Sequence, residues 1–322
     1  MLLVMGLCRI TCAQELKRIR LGYPSLSMQH GHIWVAKEEG LFKKHGLDVE
    51  PVFLRGGQMA TQALVGGDPP LASIGSVIQP SLQGHNLVLF AAVENKYDML
   101  LYARPEITRL DQLKGKRFGI TGFGAASYYG ALVLLKHANL EPVRDVALVP
   151  AGVDAERIAG ITSGRIDVSF FSIPAIPHAK KAGLVQLFDM ADLDVEVQGN
   201  GFATSRSFIK SRRDLVKSAL KGYVEGIHFI YHNKEATKKH IAKYLRAPSP
   251  EILEDSYAGY IRSTPRRPFP TLKGIQFMLD MLTAQMPQAK SAKPEQFVDL
   301  SFLQELEKEG FFAEMGKRYP AN

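Results

Sequence analysis

Residues 19–74 can be laid over residues 116–171 at a constant offset of 97, and this restricts the folds open to the chain. Leu21-Gly22-Tyr23 then falls on Phe118-Gly119-Ile120, Asp48-Val49 on Asp145-Val146, and Val52 on Val149. Gly67 falls on Gly164, Leu71 on Val168 and Ile74 on Phe171. Each copy reads as strand, helix, strand, helix, strand. In the first copy, residues 19–23 alternate as a strand does. A helix holding Ile33, Trp34, Val35 and Ala36 closes at Gly40, and strands at 48–54 and 71–74 flank a short helix at 58–64. Strand patterns alternating with helical ones imply parallel strands and right-handed crossovers. The expected class is α/β, with two lobes that each hold a mostly parallel sheet flanked by helices.

In such sheets ligands sit beyond the C-terminal strand ends, and those ends carry small and polar residues in both copies. The first offers Ser25, Ser27, Gln29 and His30, then Gly57, then Ser76. The second offers Thr121, Gly122, Phe123, Gly124 and Ser127, then Asp154, then Ser172. These residues are the candidate ligand contacts of a cleft between lobes, a preferred place for a small molecule. At Gly122-Phe123-Gly124 a strand turns sharply into a helix. The first free N–H groups of that helix, with its dipole, favour a negative group by roughly 0.3–2 kcal/mol. Gly122-x-Gly124-x-x-Ser127 also looks like a dinucleotide fingerprint. Its last glycine is missing, and the second strand ends in Ala151-Gly152 where an acidic residue is needed. No nicotinamide, flavin or other cofactor is expected.

At 322 residues the chain is long for one core and suits two lobes. Its formal charge of +8 is dispersed. No Lys/Arg block is long enough for a nucleic-acid arm, so no nucleic-acid partner is expected. Residues 1–7 are apolar, and Thr11-Cys12-Ala13 precedes Gln14-Glu15. This reads as a secretory signal over residues 1–13, without a basic start, cleaved after Ala13. Export to the periplasm is the expected consequence. Cleavage would remove Cys8 and Cys12, the two cysteines of the chain. No disulfide, thiolate metal site or Cys nucleophile would remain. No other apolar run nears the roughly 18 residues of a membrane helix.

After residue 205 the pattern is helical, at 214–232, 236–245, 250–261, 272–285 and 302–308, with Ser211 a candidate N-cap. The simplest arrangement has these helices covering the first lobe. The chain then crosses between lobes near 103–106 and near 201–205. Lobe 1 is residues 14–103 and 205–322, and lobe 2 is residues 104–204. Two short crossings make a hinge.

Residues 31–49, Gly-His-Ile-Trp-Val-Ala-Lys-Glu-Glu-Gly-Leu-Phe-Lys-Lys-His-Gly-Leu-Asp-Val, resemble the first-helix signature of a family of ABC-transporter substrate-binding proteins. That family takes nitrate, sulfonates, taurine and thiamine precursors. Residues 119–127 resemble its second-lobe loop, usually of Gly-Ser-x-Ser type, with Ala125 replacing the first Ser. Residues 158–174, with Gly164-Arg-Ile-Asp167, and the tail around Tyr223, Asn233 and Tyr257 are similar too. The resemblance covers residues 17–285. It implies a type II periplasmic-binding fold and a monomer that captures a small anionic or aromatic organic solute. It implies delivery to an inner-membrane ABC permease with a cytoplasmic ATPase. The ligand contacts it implies are Ser25, Ser27, Gln29, His30, Ser76, Thr121 and Ser127.

The rival reading is an enzyme on the same fold, making a pyrimidine precursor with a Cys-rich iron motif or eliminating chorismate-type substrates. No cysteine follows Cys12, and no Gly-x-Ser-x-Gly elbow exists. His30-x-His32 lacks an evident third metal ligand. His228 and His232 lack the acid that a zinc-hydrolase helix needs. Neither a metal nor a catalytic group is expected. Trp34 and Phe123 are the aromatics that could flank a ring in the cleft.

Overall fold

The structure is a computed structural model that describes residues 15–96, 99–193, 195–245, 249–283 and 285–320. The expected signal segment and its cleavage site lie outside the described residues. The first unit runs β1 (Lys17–Tyr23), α1 (Gly31–Glu38), α2 (Leu41–Lys44), β2 (Leu47–Phe53), α3 (Gly57–Val65), β3 (Leu71–Ser73), α4 (Ile78–Leu82) and β4 (Leu87–Ala92). After β5 (Leu100–Ala103) the second unit runs β6 (Arg117–Ile120), α5 (Ala126–His137), β7 (Ala147–Pro150), α6 (Asp154–Thr162), β8 (Val168–Phe171), α7 (Ile176–Lys181) and β9 (Val185–Asp189). β10 (Gly201–Ser205) leads to the tail helices α8 (Arg206–His232), α9 (Lys234–Tyr244), α10 (Pro250–Ser263), α11 (Leu272–Leu282), α12 (Ser301–Lys308) and α13 (Phe311–Arg318).

The two units share one register. Leu21 pairs with Pro51 and Leu71, and Phe118 pairs with Leu148 and Val168, all in parallel. α3 and α6 correspond residue for residue at the offset of 97. Each is followed by an equivalent glycine, Gly67 (φ 83°) or Gly164 (φ 79°), in the left-handed region where a side chain is strained. Gly22 and Gly119 are also equivalent, and both strands are crossed closely. A Cβ on Gly22 would lie 2.8 Å from Pro69, and one on Gly119 2.2 Å from Ile166, itself the counterpart of Pro69.

The sheets run β2-β1-β3-β10-β4 and β7-β6-β8-β5-β9. Each therefore takes its single antiparallel fourth strand from beyond the other unit. β10 pairs antiparallel with β3 and β4, and β5 with β8 and β9. This moves the expected boundaries. Residues 100–103, expected in lobe 1, lie in the second sheet, and residues 201–204, expected in lobe 2, lie in the first. The crossings fall on the segments just before these strands. They are bonded to each other: Val93 N–H donates to Asn200 O (2.9 Å), Gly199 N–H to Glu94 O (2.8 Å) and Val197 N–H to Asn95 O (3.0 Å).

The tail divides its packing. α8, α9, α10, α12 and α13 bury apolar side chains with the first sheet, among them Val216, Leu220, Ile241, Tyr260, Phe302 and Met315. α11 instead shares a core with α5 of the second lobe, through Ile275, Met278, Leu279 and Leu282 against Tyr128, Leu132 and Leu135. α11 departs from the expectation that the tail covers the first lobe, and α10, besides its first-lobe packing, also touches Ile173–Ala175 of the second. α8 also begins earlier than expected. Ser205 Oγ accepts from Phe208 N–H (3.2 Å) and caps it, whereas Ser211 donates its hydroxyl back to Ser207 O (3.1 Å). The helix kinks at Arg212 (φ −141°, ψ 40°), which hid the true start from a periodicity reading.

Candidate functional site

A cavity of about 500 Å³ lies between the lobes at the C-terminal ends of the parallel strands. On the first-lobe side, the chain leaving β1 forms a tight turn. Ser27 Oγ accepts from Gln29 N–H (3.4 Å), opening a single 3-10 turn that runs into α1. Gln29 turns toward the crossings. Its side-chain N–H donates to Glu94 Oε1 (2.9 Å), and its oxygen accepts from Asn200 Nδ2 (2.9 Å). Asn200 also donates to Glu94 from Nδ2 (2.9 Å) and from its backbone N–H (3.0 Å). A cavity residue is thus tied to both crossing segments. Ser76 Oγ shares a hydrogen with Thr61 Oγ1 (2.5 Å), and Thr61 donates to Gly57 O (2.8 Å).

His30 borders the cavity but is fully buried. Its ring nitrogens meet Ser73 Oγ (3.0 Å) and Ser25 Oγ (3.1 Å), so it fixes Ser25 and offers no free nitrogen. Burial drives its pKa down from 6.5 to about 3. Above about 6.5 the ring is neutral in folded and unfolded chains alike, and nothing is gained or lost. As pH falls through 6.5, the unfolded chain takes a proton that the folded one refuses until about 3, so stability declines over that window. The expected loss from His30 alone is about 2 kcal/mol at pH 5. Urea titrations at pH 7 and pH 5 check this. His30→Asn should lose less than wild type between the two, and equal losses would contradict it.

On the second-lobe side, Ser127 Oγ accepts from Thr121 N–H (2.8 Å) and donates to Thr121 Oγ1 (3.1 Å). This pins the loop before α5, whose N-cap, Ala125, supplies no side-chain bond. Asp154 opens α6. It accepts from Ser172 Oγ on one oxygen and from Arg157 Nη2 on the other. Arg157 lies over the Phe171 ring, 5.7 Å from its centre, and is only 6% exposed. Its Nε and Nη1 are buried without a partner among the described residues. The lobes meet beside the cavity: Gly57 faces Ala125, Gly56 faces Thr121, and Arg55 pairs with Glu156 (2.5 Å).

Of the expected residues, Ser25, Ser27, Gln29, His30, Gly57, Ser76, Thr121, Ser127, Asp154 and Ser172 are brought together around this cavity. Gly122, Phe123 and Gly124 are not among its walls. Gly122 and Gly124 (φ 78°) approach Gln58 and Gln79 of the first lobe at the seam. Phe123 is 52% exposed and meets Tyr128 edge-on, 5.5 Å between centres. Trp34 is a core residue stacked on Tyr244 at 4.9 Å. Sequence reasoning missed Arg157, Tyr129, Gln198 and the α10 residues Ser256, Tyr260 and Ser263, which also line the cavity. The α10 set recurs at i, i+4 and i+7, one helix face, and that spacing was the signal.

Residues 27–237 match the family described as NMT1/THI5 like, more than half of the chain. The chain belongs to the NMT1/THI5-like family. This NMT1/THI5-like protein is 25% identical to YtlA of Bacillus subtilis (strain 168), provisionally named a binding protein, over 280 residues and 83% of each chain. Its fold is that of the alkanesulfonate-binding protein SsuA from Xanthomonas axonopodis pv. citri, solved with MOPS. The TM-score is 0.73 at 18% identity, over 88% of this chain and 99% of SsuA. The nitrate-binding protein NrtA from Synechocystis PCC 6803 is also similar, with a TM-score of 0.69 at 14% identity, over 96% of this chain and 93% of NrtA. The two-lobed periplasmic-binding fold that the residues implied is therefore the fold of this NMT1/THI5-like chain. Among its described residues no helix is long and apolar enough to cross a membrane.

Proposed function

We propose that this protein is the periplasmic solute-binding component of an ABC importer. As a monomer it takes a small anionic or aromatic organic solute between its lobes. It hands the solute unchanged to an inner-membrane permease driven by a cytoplasmic ATPase. Family membership supports a binding role, and the alkanesulfonate and nitrate named for its neighbours support an oxygen-rich solute. The observation that carries the reading is Arg157, a nearly buried cation on the cavity wall with two nitrogens unpaired among the described residues. An oxyanion or carbonyl acceptor completes it by charge-assisted bonds. Groups from both lobes reach the same cavity, so the solute favours the closed pairing of lobes. Moving that equilibrium from 1:99 to 99:1 takes roughly 5.5 kcal/mol, within reach of a handful of bonds at roughly 0.5–3 kcal/mol each.

The geometry disfavours catalysis by Ser25 and His30. Ser25 beside His30 looks like a nucleophile and its base. A base held at about 3 is too weak to take a hydroxyl proton near neutral pH, and its other partner is the uncharged Ser73. Calorimetry with nitrate, taurine, ethanesulfonate, benzoate and a hydroxymethylpyrimidine tests the reading. At least one should bind, and Arg157→Leu should weaken it about 100-fold, about 2.7 kcal/mol. The variant should fold, since the Asp154 side chain is 27% exposed and stays hydrated. Unchanged affinity in the variant, or chemical conversion of the bound compound, would defeat the proposal.

A further inference from the structure

Three residues on the cavity wall carry buried hydroxyls that no other described group bonds. Ser256 and Tyr260 stand one turn apart on α10, and Tyr129 stands on α5 of the other lobe; all three line the cavity. They are 1%, 2% and 4% exposed. Among the described residues none of the three hydroxyls has a hydrogen-bond partner. A buried hydroxyl left unpaired is a cost that folding does not recover. Three of them around one space point to a partner that enters from outside. Arg157 adds unpaired donors on the same wall. A volume of about 500 Å³ is in the range of organic ligands, far above that of an inorganic oxyanion.

We propose that Tyr129, Ser256 and Tyr260 form a hydroxyl subsite for an oxygen-bearing substituent of the solute. The captured molecule is then an organic acid carrying a second polar oxygen, not a bare oxyanion. This rests on the solute-capture reading and narrows it. Tyr260 is packed in the first-lobe core and Tyr129 in the core shared with the second lobe. A substituent bonded to both therefore also holds the lobes together. α10 becomes a third wall of the site, beyond the two sets of strand ends.

The test has a ligand-free arm and a ligand arm, both on the full chain. Tyr129→Phe, Ser256→Ala and Tyr260→Phe each delete one unpaired hydroxyl and keep the shape of the wall. Without ligand, their melting temperatures should equal or exceed that of wild type. Calorimetry then compares two pairs of probes: benzoate with 4-hydroxybenzoate, and ethanesulfonate with 2-hydroxyethanesulfonate. In at least one pair the hydroxylated member should bind wild type about tenfold tighter or more, and Tyr260→Phe should erase the difference. A clear drop in the unliganded melting temperatures would show that the hydroxyls serve the fold and would overturn the subsite. Equal affinity within both pairs would overturn it too, while leaving solute capture standing. Binding of none of the four would remove the acid class and the subsite with it.

Discussion

Gly75→Ala is expected to cost about 3 kcal/mol or more of stability and to disturb the cavity as well. A Cβ on Gly75 would sit 1.9 Å from the carbonyl oxygen of Gly199 and 2.7 Å from its carbon. Both partners are backbone, so no side-chain rotation relieves the clash, and overpacking of this kind costs roughly 1–3 kcal/mol or more. Gly75 follows β3 in the first lobe, while Gly199 belongs to a crossing. The added methyl therefore pushes the hinge segment itself. Gly199 has no room to retreat, since a Cβ there would already meet Glu94 Oε2 at 2.6 Å. The bonds joining Glu94, Asn200 and Gln29 lie directly behind. Calorimetric melting should show a drop of roughly 6 °C or more. Gly316→Ala is the control. It lies in α13 with nothing within 4 Å of the added atom, and it should gain roughly 0.5–1 kcal/mol from helix propensity. A Gly75→Ala protein as stable as wild type would mean that the crossing is not packed as described.

Glu225→Ala should be of similar size for an electrostatic reason. The carboxylate is fully buried on α8 and accepts from four groups: Lys44 Nζ (2.6 Å), His45 Nε2 (2.8 Å), Arg318 Nη1 (2.9 Å) and Tyr319 OH (3.0 Å). These ties hold α2 and α13 against α8. Removing one partner of a buried pair costs about 3–5 kcal/mol. Here Lys44 and Arg318 are partly exposed and recover hydration, which favours the lower end. None of these residues lines the cavity, so solute affinity should not change. The contrast is Glu305, which pairs with Arg213 and Lys217 on the surface. Its loss should cost about 1 kcal/mol or less. Chemical denaturation of both variants decides this, and equal costs would contradict the role given to burial.

Much of the architecture could be read before the structure because it is written twice. The offset of 97 carries the strand register, the matched helices α3 and α6, and the glycine pairs Gly22/Gly119 and Gly67/Gly164. The exchange of β5 and β10 was not readable. Both are short, apolar and nearly all buried, and such a strand carries no mark of the sheet it joins. The docking of α11 on the second lobe was hidden likewise, since an apolar helix face does not name its partner. The polar loops were found because they end strands. Arg157 was not, because an arginine inside an amphipathic helix reads as a surface residue until its neighbours bury it. Ser256 and Tyr260 were hidden for a related reason: a serine and a tyrosine on one helix face carry no mark of the cavity that the face meets.

Small-angle X-ray scattering of the purified chain, alone and with the compound that raises its melting temperature most, tests lobe closure on a guest most directly. The account predicts a smaller radius of gyration with the compound, reversal on dialysis, and recovery of that compound chemically unchanged. An identical profile with and without it would contradict closure, and an altered compound would contradict capture without reaction.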